Sequence, residues 1–468
     1  MTPEALNKLT GLDLIPRHKG EMTYQCISCA KTFPLEKLLY TCPECGKLLR
    51  VVDLAFDELK KVPGETWRNI FDLRRSLQVE GMKGIFTFQE LILPHLDLAD
   101  VVYLGEGHTP MIEANGELAS WVGAPLKVKN DGQNPSASFK DRGMASAISF
   151  LNNYLKAKNP SSVLGICAST GDTAAAAALY LSYLPKGKVK SVVLLPRGRV
   201  TPQQLGQPLG SGATVIEVPG VFDDCMKLVE ELAERYEVFL LNSKNPVRIC
   251  GQKSFAYETA QQLGWKVADA TVAVPIGNAG NVTAIMEGFL DLSRLGIIDG
   301  LPRILGVQSL RADPVCRWRD SGDYSPVTVT PSVAQAAMIG NPVSFPKVKG
   351  LVEGYFDELF TCVAVSEQEI MDAMLTANCH GHVVCTQGGE AIAGLKAALD
   401  RGMVERGRTF ICDSTSHQLK FAGFQDAYFQ GTMAEEYGVE SKPELVNRPV
   451  GLERDASAIA GYLGLKAR

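Results

Sequence analysis

From residue 125 onward the chain alternates between short apolar runs and longer amphipathic ones. The short runs are PLKVKN (125–130), VLGICAS (163–169), SVVLLP (191–196), TVIEVP (214–219), VFLLN (238–242), ATVAVPI (270–276), RILGVQS (303–309) and TFICD (409–413). Most are rich in Val, Ile and Leu, which predicts strands covered on both faces. Between most of them lie helix-like runs, among them AAAAALYLSYL (174–184), FDDCMKLVEELAERY (222–236), NVTAIMEGFLDLSRLG (281–296) and SEQEIMDAMLTANC (366–379). The last opens on a Ser366-x-x-Glu369 capping box. Strands alternating with helices imply mostly parallel sheets with helices on both faces. So many units imply an α/β protein with two such sheets and a ligand cleft between them.

Ahead of this region the composition changes. Four of the 12 cysteines are spaced Cys26-x2-Cys29-x12-Cys42-x2-Cys45. Each short pair can deliver two thiolates to one ion, and four thiolates fit a tetrahedral Zn²⁺. Four thiolates saturate the ion, so the site is expected to be structural. The other eight cysteines are scattered through apolar segments and are expected to be small buried hydrophobes. The N-terminus, MTPEALNKLTGLDLIPRHKG, lacks a signal-peptide apolar region. That argues against a disulfide framework and for a cytoplasmic protein. The 47 basic and 52 acidic residues are mixed along the chain, so no basic tract marks a nucleic-acid partner. No apolar run approaches the roughly 20 residues that span a bilayer, so no membrane is expected. At 468 residues the chain suits two or three domains.

Candidate chemistry centres on QNPSASFKDRGMA (133–145). Lys140 sits at the junction between a loop of small polar residues and a helix-like run. A lysine that attacks a carbonyl must be neutral, and burial or nearby positive potential lowers its pKa. A helix N-terminus supplies such potential. A surface lysine in the first turn is the alternative. A second element is the strand-to-helix turn Gly277-Asn278-Ala279-Gly280-Asn281. Its glycines let backbone approach a phosphate, and the helix start points N–H groups at it. A Schiff-base lysine and a phosphate cup together suggest pyridoxal 5′-phosphate.

These motifs carry a resemblance. NPSASFKDRG resembles the NPTGSFKDRG that surrounds the Schiff-base lysine of the threonine synthases, pyridoxal-phosphate enzymes of tryptophan synthase β type (fold type II). GNAGN is similar to their cofactor-phosphate turn, and GEGHTP (105–110) to their early GEGxTPL. NSKNPVRICGQKSFAYE (242–258) resembles NSxNPxRxxGQKTxAxE, the segment most specific to that family. The cysteine module resembles a ribbon that precedes the catalytic domains in a microbial branch. The resemblance spans about residues 22–425. It implies a zinc ribbon at 22–50, a linking helical region at 53–100, a large α/β cofactor domain at 101–134 and 243–430, a small α/β domain at 135–242, and a C-terminal extension at 431–468.

The resemblance also implies roles. Lys140 would hold the cofactor and shuttle protons, and Gly277, Asn278, Ala279, Gly280 and Asn281 would bind its phosphate. Thr415 would face the pyridine nitrogen, leaving it neutral; otherwise it simply ends a strand. Asp172 would lie beside the cofactor's phenolic oxygen, where two negative groups require one to hold a proton; alternatively it caps the Ala-rich helix. Ser169 and Thr170 would take the substrate carboxylate. Asn242, Ser243 and Arg248 would hold the leaving phosphate, Arg248 through its forked donors; a turn residue and a surface ion pair are the readings open to Asn242 and Arg248 otherwise. His417 is a second acid/base candidate, whereas His380 and His382 read as turn or rim residues. The implied reaction converts O-phosphohomoserine to threonine and phosphate, so the partner is a small phosphorylated amino acid; a homodimer is common in the family. The same fold also admits a cysteate-synthase-like β-replacement on phosphoserine or a threonine/serine dehydratase. A reading of another class is a zinc-ribbon binding protein on an inactive enzyme scaffold.

Overall fold

The computed structural model describes residues 3–79, 81–169, 171–197, 202–220 and 222–466. The chain first builds a small antiparallel sheet from β1 (Met22–Cys26), β2 (Thr32–Pro34) and β3 (Leu49–Asp53), in the order β2-β1-β3. It then lays down β4 (Met111–Glu113) and β5 (Leu126–Asn130). Next it leaves that sheet to form β6 (Val163–Ala168), β7 (Val189–Pro196), β8 (Thr214–Val218) and β9 (Val238–Leu240). It returns with β10 (Ala270–Pro275), β11 (Arg303–Ser309), β12 (Phe360–Val365) and β13 (Thr409–Ser414). The second excursion closes as an all-parallel sheet, β8-β7-β6-β9. The remaining strands form a six-stranded sheet, β12-β11-β10-β13-β5-β4, parallel except for the edge pair β4–β5.

Each of the eight apolar runs contains a strand, and most are buried between helices; β8, at a sheet edge, has no fully buried residue. In the two large sheets, two strands escape the hydrophobic pattern. β4 has three residues, two of them exposed, and β12 is interrupted by Thr361 and Cys362. The capping box is present: Glu369 N–H donates to Ser366 Oγ at 3.3 Å, and Ser366 N–H donates to Glu369 Oε2 at 2.7 Å.

The region ahead of β4 is part of the main core rather than a tether. Helix Gly64–Leu77 buries Trp67, Ile70, Phe71 and Arg74, the i, i+3, i+4, i+7 face of an amphipathic helix. Each large apolar side chain so buried contributes about 1.5–3 kcal/mol. Arg74 grips Glu90 in a two-pronged buried ion pair at 2.7 and 2.6 Å. It also donates to the carbonyls of Leu14 and Thr87.

The scattered cysteines need one correction. Cys316 and Cys362 are joined in a disulfide, because helix Pro314–Ser321 packs on β12 and brings their Cα atoms to 4.9 Å. Cys167, Cys225, Cys250, Cys385 and Cys412 are buried thiols, as expected, and Cys379 is exposed. Among the described residues, no helix is long and apolar enough to cross a membrane.

Candidate active site

Ligands of open parallel sheets bind beyond the carboxyl ends of the strands. Five such ends converge here: residues 131–140 follow β5, 171–172 follow β6, 241–248 follow β9, 276–281 follow β10, and 415–420 follow β13. Between them lies a cleft with about 690 Å³ of space unfilled by atoms, part of it open to solvent. Lys140, Asp172, Ser243, Arg248, Gly277, Asn278, Ala279, Gly280, Asn281 and Thr415 all line it. Ser169 and Asn242 are not among the lining residues, and Thr170 lies outside the described residues.

Lys140 is the first residue of helix Lys140–Lys158. Burial, and then the Arg248 guanidinium beside it, push its amine down to about 7, while Asp172 and Asp413 pull the other way. The loop that delivers it is stitched to the segment after β13. Phe139 N–H donates to the Thr415 carbonyl at 2.8 Å, and His417 N–H and Ser416 Oγ donate to the Ala137 carbonyl at 3.0 Å each. His417 Nδ1 accepts from Leu419 N–H at 3.2 Å, so this ring is turned to capping its own turn. Asp141 is buried and holds the loop from inside, accepting from Ser136 N–H and Oγ at 2.8 and 3.0 Å.

Ala137 adopts φ 65°, in the left-handed region. A side chain there costs about 1–2 kcal/mol, and glycine avoids that cost at a smaller entropic one. Ala137→Gly is therefore expected to stabilise the protein by up to about 1 kcal/mol, read as a higher thermal midpoint. An unchanged or lower midpoint would show that the loop tolerates this conformation without strain.

The turn 277–281 has the form of an anion cup. Helix Gly280–Arg294 starts behind Ala279, whose φ is 61°, with no side chain capping its first N–H groups. Gly277 lies flush against the neighbouring loop: a Cβ there would meet Ala337 Cα at 3.0 Å. The Asn278 carbonyl accepts from Ser344 N–H at 3.1 Å, which pins the turn. The uncapped N–H groups, the tight backbone approach and the partly buried amine of Lys140 are together a fit for a phosphorylated aldehyde.

Arg248 is buried on helix Pro246–Gln252 without a carboxylate partner among the described residues. One donor reaches the Leu241 carbonyl at 2.9 Å, while Nε has none to meet. Burial lowers its pKa to about 10, so it stays charged at neutral pH. A buried guanidinium with idle donors facing a cavity is suited to an anion. Lys253, on the next turn, points away and pairs with Asp291 at 2.7 Å. Asn242 has its amide committed to the end of β6, accepting from Ala168 N–H at 2.9 Å and donating to the Ala168 carbonyl at 2.7 Å. Ser169 Oγ accepts from Gly171 N–H at 3.2 Å.

Sequence reasoning missed several participants. Lys420 pairs with Asp172 at 2.9 Å and donates to the Ser136 carbonyl at 2.8 Å. Asp172 is thus a paired carboxylate on the first turn of helix Asp172–Tyr183, with Gly171 as the N-cap. Asp413, at the end of β13, accepts from Asn281 Nδ2 at 2.7 Å. Burial and the nearby Asp131 raise its pKa well above the usual range.

Beneath the cavity runs a sealed ionic network. Arg142 makes a two-pronged pair with Asp131 at 2.8 Å per contact, and another with Glu258 at 2.7 and 2.8 Å. Lys129 donates to Glu258 at 2.8 Å and to the Thr109 carbonyl at 2.7 Å. The network ties together the segments around GEGHTP, β5, KDRG and 242–258. Where helices Lys140–Lys158 and Pro246–Gln252 cross, Gly251 lets them touch: a Cβ there would fall 2.0 Å from the Arg142 carbonyl oxygen.

Outside the cavity, Cys26, Cys29, Cys42 and Cys45 bring their sulfurs within 4.8 Å of one another, the only cluster among the described residues able to hold a metal ion. The two loops share one design. Ala30 N–H donates to the Cys26 carbonyl and Gly46 N–H to the Cys42 carbonyl, with φ 57° and 68° at those residues.

Comparison with known proteins shows the family. A family model described as pyridoxal-phosphate dependent enzyme matches residues 102–413. The threonine synthase of Methanocaldococcus jannaschii is 38% identical over 403 residues, covering 85% of this chain and 93% of that one. Threonine synthase 2, chloroplastic, of Arabidopsis thaliana is 33% identical over 450 residues, covering 93% of this chain and 83% of that one. Among solved structures, threonine synthase from Escherichia coli superposes with a TM-score of 0.63 at 21% identity, over 94% of this chain and 99% of that one. That likeness is one of fold: two parallel α/β sheets facing a cleft.

Proposed function

The chain belongs to the threonine synthases among the pyridoxal-phosphate enzymes, and from that membership and the cavity's geometry we propose that it converts O-phosphohomoserine and water to threonine and phosphate. The observation that carries the proposal is the pairing of Lys140 with Arg248 across one cavity closed by the 277–281 turn. The first is a depressed amine, the second a buried guanidinium with a free donor.

Bound through Lys140, the cofactor supplies an electron sink for negative charge beside the substrate's amino-bearing carbon. The protein's part is to bind, orient and move protons. Gly277 to Asn281 hold the cofactor phosphate at the helix start. Thr415 offers a hydroxyl, not a carboxylate, to the ring nitrogen. Asp172, neutralised by Lys420, lies beside the phenolic oxygen. Ser169 and Thr170 hold the substrate carboxylate. Ser243 and Arg248 hold the leaving phosphate, and Asn242 sets their segment by gripping Ala168. Freed once the substrate amine takes its place, Lys140 would take the proton from the α-carbon and assist removal of one from the β-carbon as phosphate departs from the γ-carbon; protons then return to the γ- and α-carbons and water adds at the β-carbon, which gives threonine. On this reading the four-stranded sheet, with residues 135–242, forms the small domain, and 101–134 with 243–430 form the large one.

We further assign the four-cysteine cluster to structural zinc. A tetrahedral ion with Zn–S of about 2.3 Å places its sulfurs about 3.8 Å apart. Three of the six sulfur pairs lie at 3.5, 3.7 and 3.8 Å, and all six lie within 4.8 Å.

The test is turnover of O-phosphohomoserine, read as equal release of phosphate and threonine. Phosphoserine with sulfite, and threonine alone, are the competing assays. Turnover only in those would replace the proposal. Arg248→Ala is expected to raise KM for O-phosphohomoserine roughly 10- to 100-fold, the loss of a charge-assisted hydrogen bond of about 1.5–3 kcal/mol. Unchanged KM in that variant would remove Arg248 from the phosphate site.

A further inference from the structure

The four-cysteine module touches the catalytic region at a specific place. β9 is the edge strand of its sheet, paired on one side with β6. Leu241 N–H, facing β6, donates to the Ile166 carbonyl at 2.8 Å. Alternation along the strand turns Val238 and Leu240 outward, where an edge would leave their backbone groups unpaired. Tyr40, two residues before Cys42, fills that edge. Its hydroxyl donates to the Val238 carbonyl at 3.0 Å and accepts from Leu240 N–H at 2.9 Å. Its ring packs on the apolar cluster that includes Ile166, Ala168 and Leu240.

Those backbone groups adjoin the phosphate segment. One residue past Leu240, the Leu241 carbonyl is the acceptor that anchors Arg248 at 2.9 Å. The next residue, Asn242, locks to Ala168. At the far end of the segment, β3 of the same module lies against helix Pro246–Gln252, which carries Arg248. The module therefore holds the segment from both ends.

We propose that the cysteine module is a splint for the substrate-phosphate segment 242–248, with Tyr40 as its positioning residue. The inference rests on the proposed function, and it gives the module a job in substrate affinity rather than in cofactor binding or in contacting nucleic acid. Tyr40→Phe keeps the ring and removes only the hydroxyl, leaving Val238 and Leu240 without that partner.

In the cofactor-loaded enzyme, Tyr40→Phe is expected to raise KM for O-phosphohomoserine and the inhibition constant of inorganic phosphate together, by roughly 3- to 10-fold, the effect of one net hydrogen bond. kcat and the visible absorbance of the bound cofactor stay as in the wild type. Exchange of the Leu240 amide hydrogen speeds up by a similar factor. A variant with unchanged KM and phosphate inhibition overturns the proposal. So does one that loses cofactor affinity and kcat in step, since that is what a merely structural contact would do. The wild type run alongside separates this failure from that of the functional reading: absence of phosphate release from O-phosphohomoserine there rejects the reaction. Phosphate affinity and Leu240 exchange still report on the splint.

Discussion

Lys140→Ala is expected to lower phosphate release from O-phosphohomoserine by at least about 10³-fold, since it removes both the covalent anchor and the proton carrier. Folding is not expected to suffer. Lys140 makes no ion pair among the described residues, and its nearest aromatic contact is the Phe139 ring at 4.1 Å. Removing an amine that burial already disfavours leaves the thermal midpoint unchanged or slightly raised. The neutral amine is the species that attacks an aldehyde. With its pKa at about 7, the amine is protonated below that pH and free above it. Capture of pyridoxal phosphate by the cofactor-free protein should therefore accelerate as pH rises through about 7 and level off beyond it. An unperturbed lysine would keep accelerating toward about pH 10. The readouts are the growth of visible absorbance and, after borohydride, the cofactor fixed to peptide 133–145. Label on another lysine, or a rate flat through neutral pH, would end the assignment.

The reach of the sequence is uneven for a physical reason. Lys140, the 277–281 turn and the Cys-x2-Cys pairs are local motifs whose spacing alone carries their chemistry. The structure gathers the first two at one cavity and the cysteines into one cluster. Strands buried on both faces are equally local, since most of their runs are dominated by Val, Ile and Leu. What the sequence withholds is pairing at long range. Nothing near Asp172 announces Lys420, and nothing near Asn281 announces Asp413. Asn242 reads as a phosphate ligand until the fold shows its amide spent on Ala168. Nothing in the sequence around Asp141 announces that it is buried and grips Ser136. Tyr40 has no motif, because its role depends on which strand ends up at a sheet edge.

Glu258→Gln is expected to be the most damaging change outside the cavity. Glu258 and Asp131 balance Lys129 and Arg142 in a region sealed from water. Removing one carboxylate leaves Lys129 with the Thr109 carbonyl and no counter-charge, a buried uncompensated cation that costs about 3–5 kcal/mol. The damage is transmitted to the cavity, because Arg142 lies two residues from Lys140 on the same helix. Shorter half-life at elevated temperature and weaker cofactor retention should appear together. The pH dependence has a definite sign. The nearby Arg142 and Lys129 outweigh burial and hold the Glu258 carboxyl well below its ordinary value. Its contribution is thus present above the unfolded pKa of about 4.3 and is lost only as pH falls through the lower folded value. Wild type should keep this stabilisation at pH values where ordinary carboxylates have begun to protonate, and Glu258→Gln should lack it at every pH. Adding Lys129→Met to Glu258→Gln removes the stranded charge and leaves Arg142 paired with Asp131. The double variant should recover a substantial part of the lost half-life, a coupling that only neighbours in one network produce. If Lys129→Met instead deepens the loss, charge balance is not what holds this region together, and simple packing of the four segments takes its place.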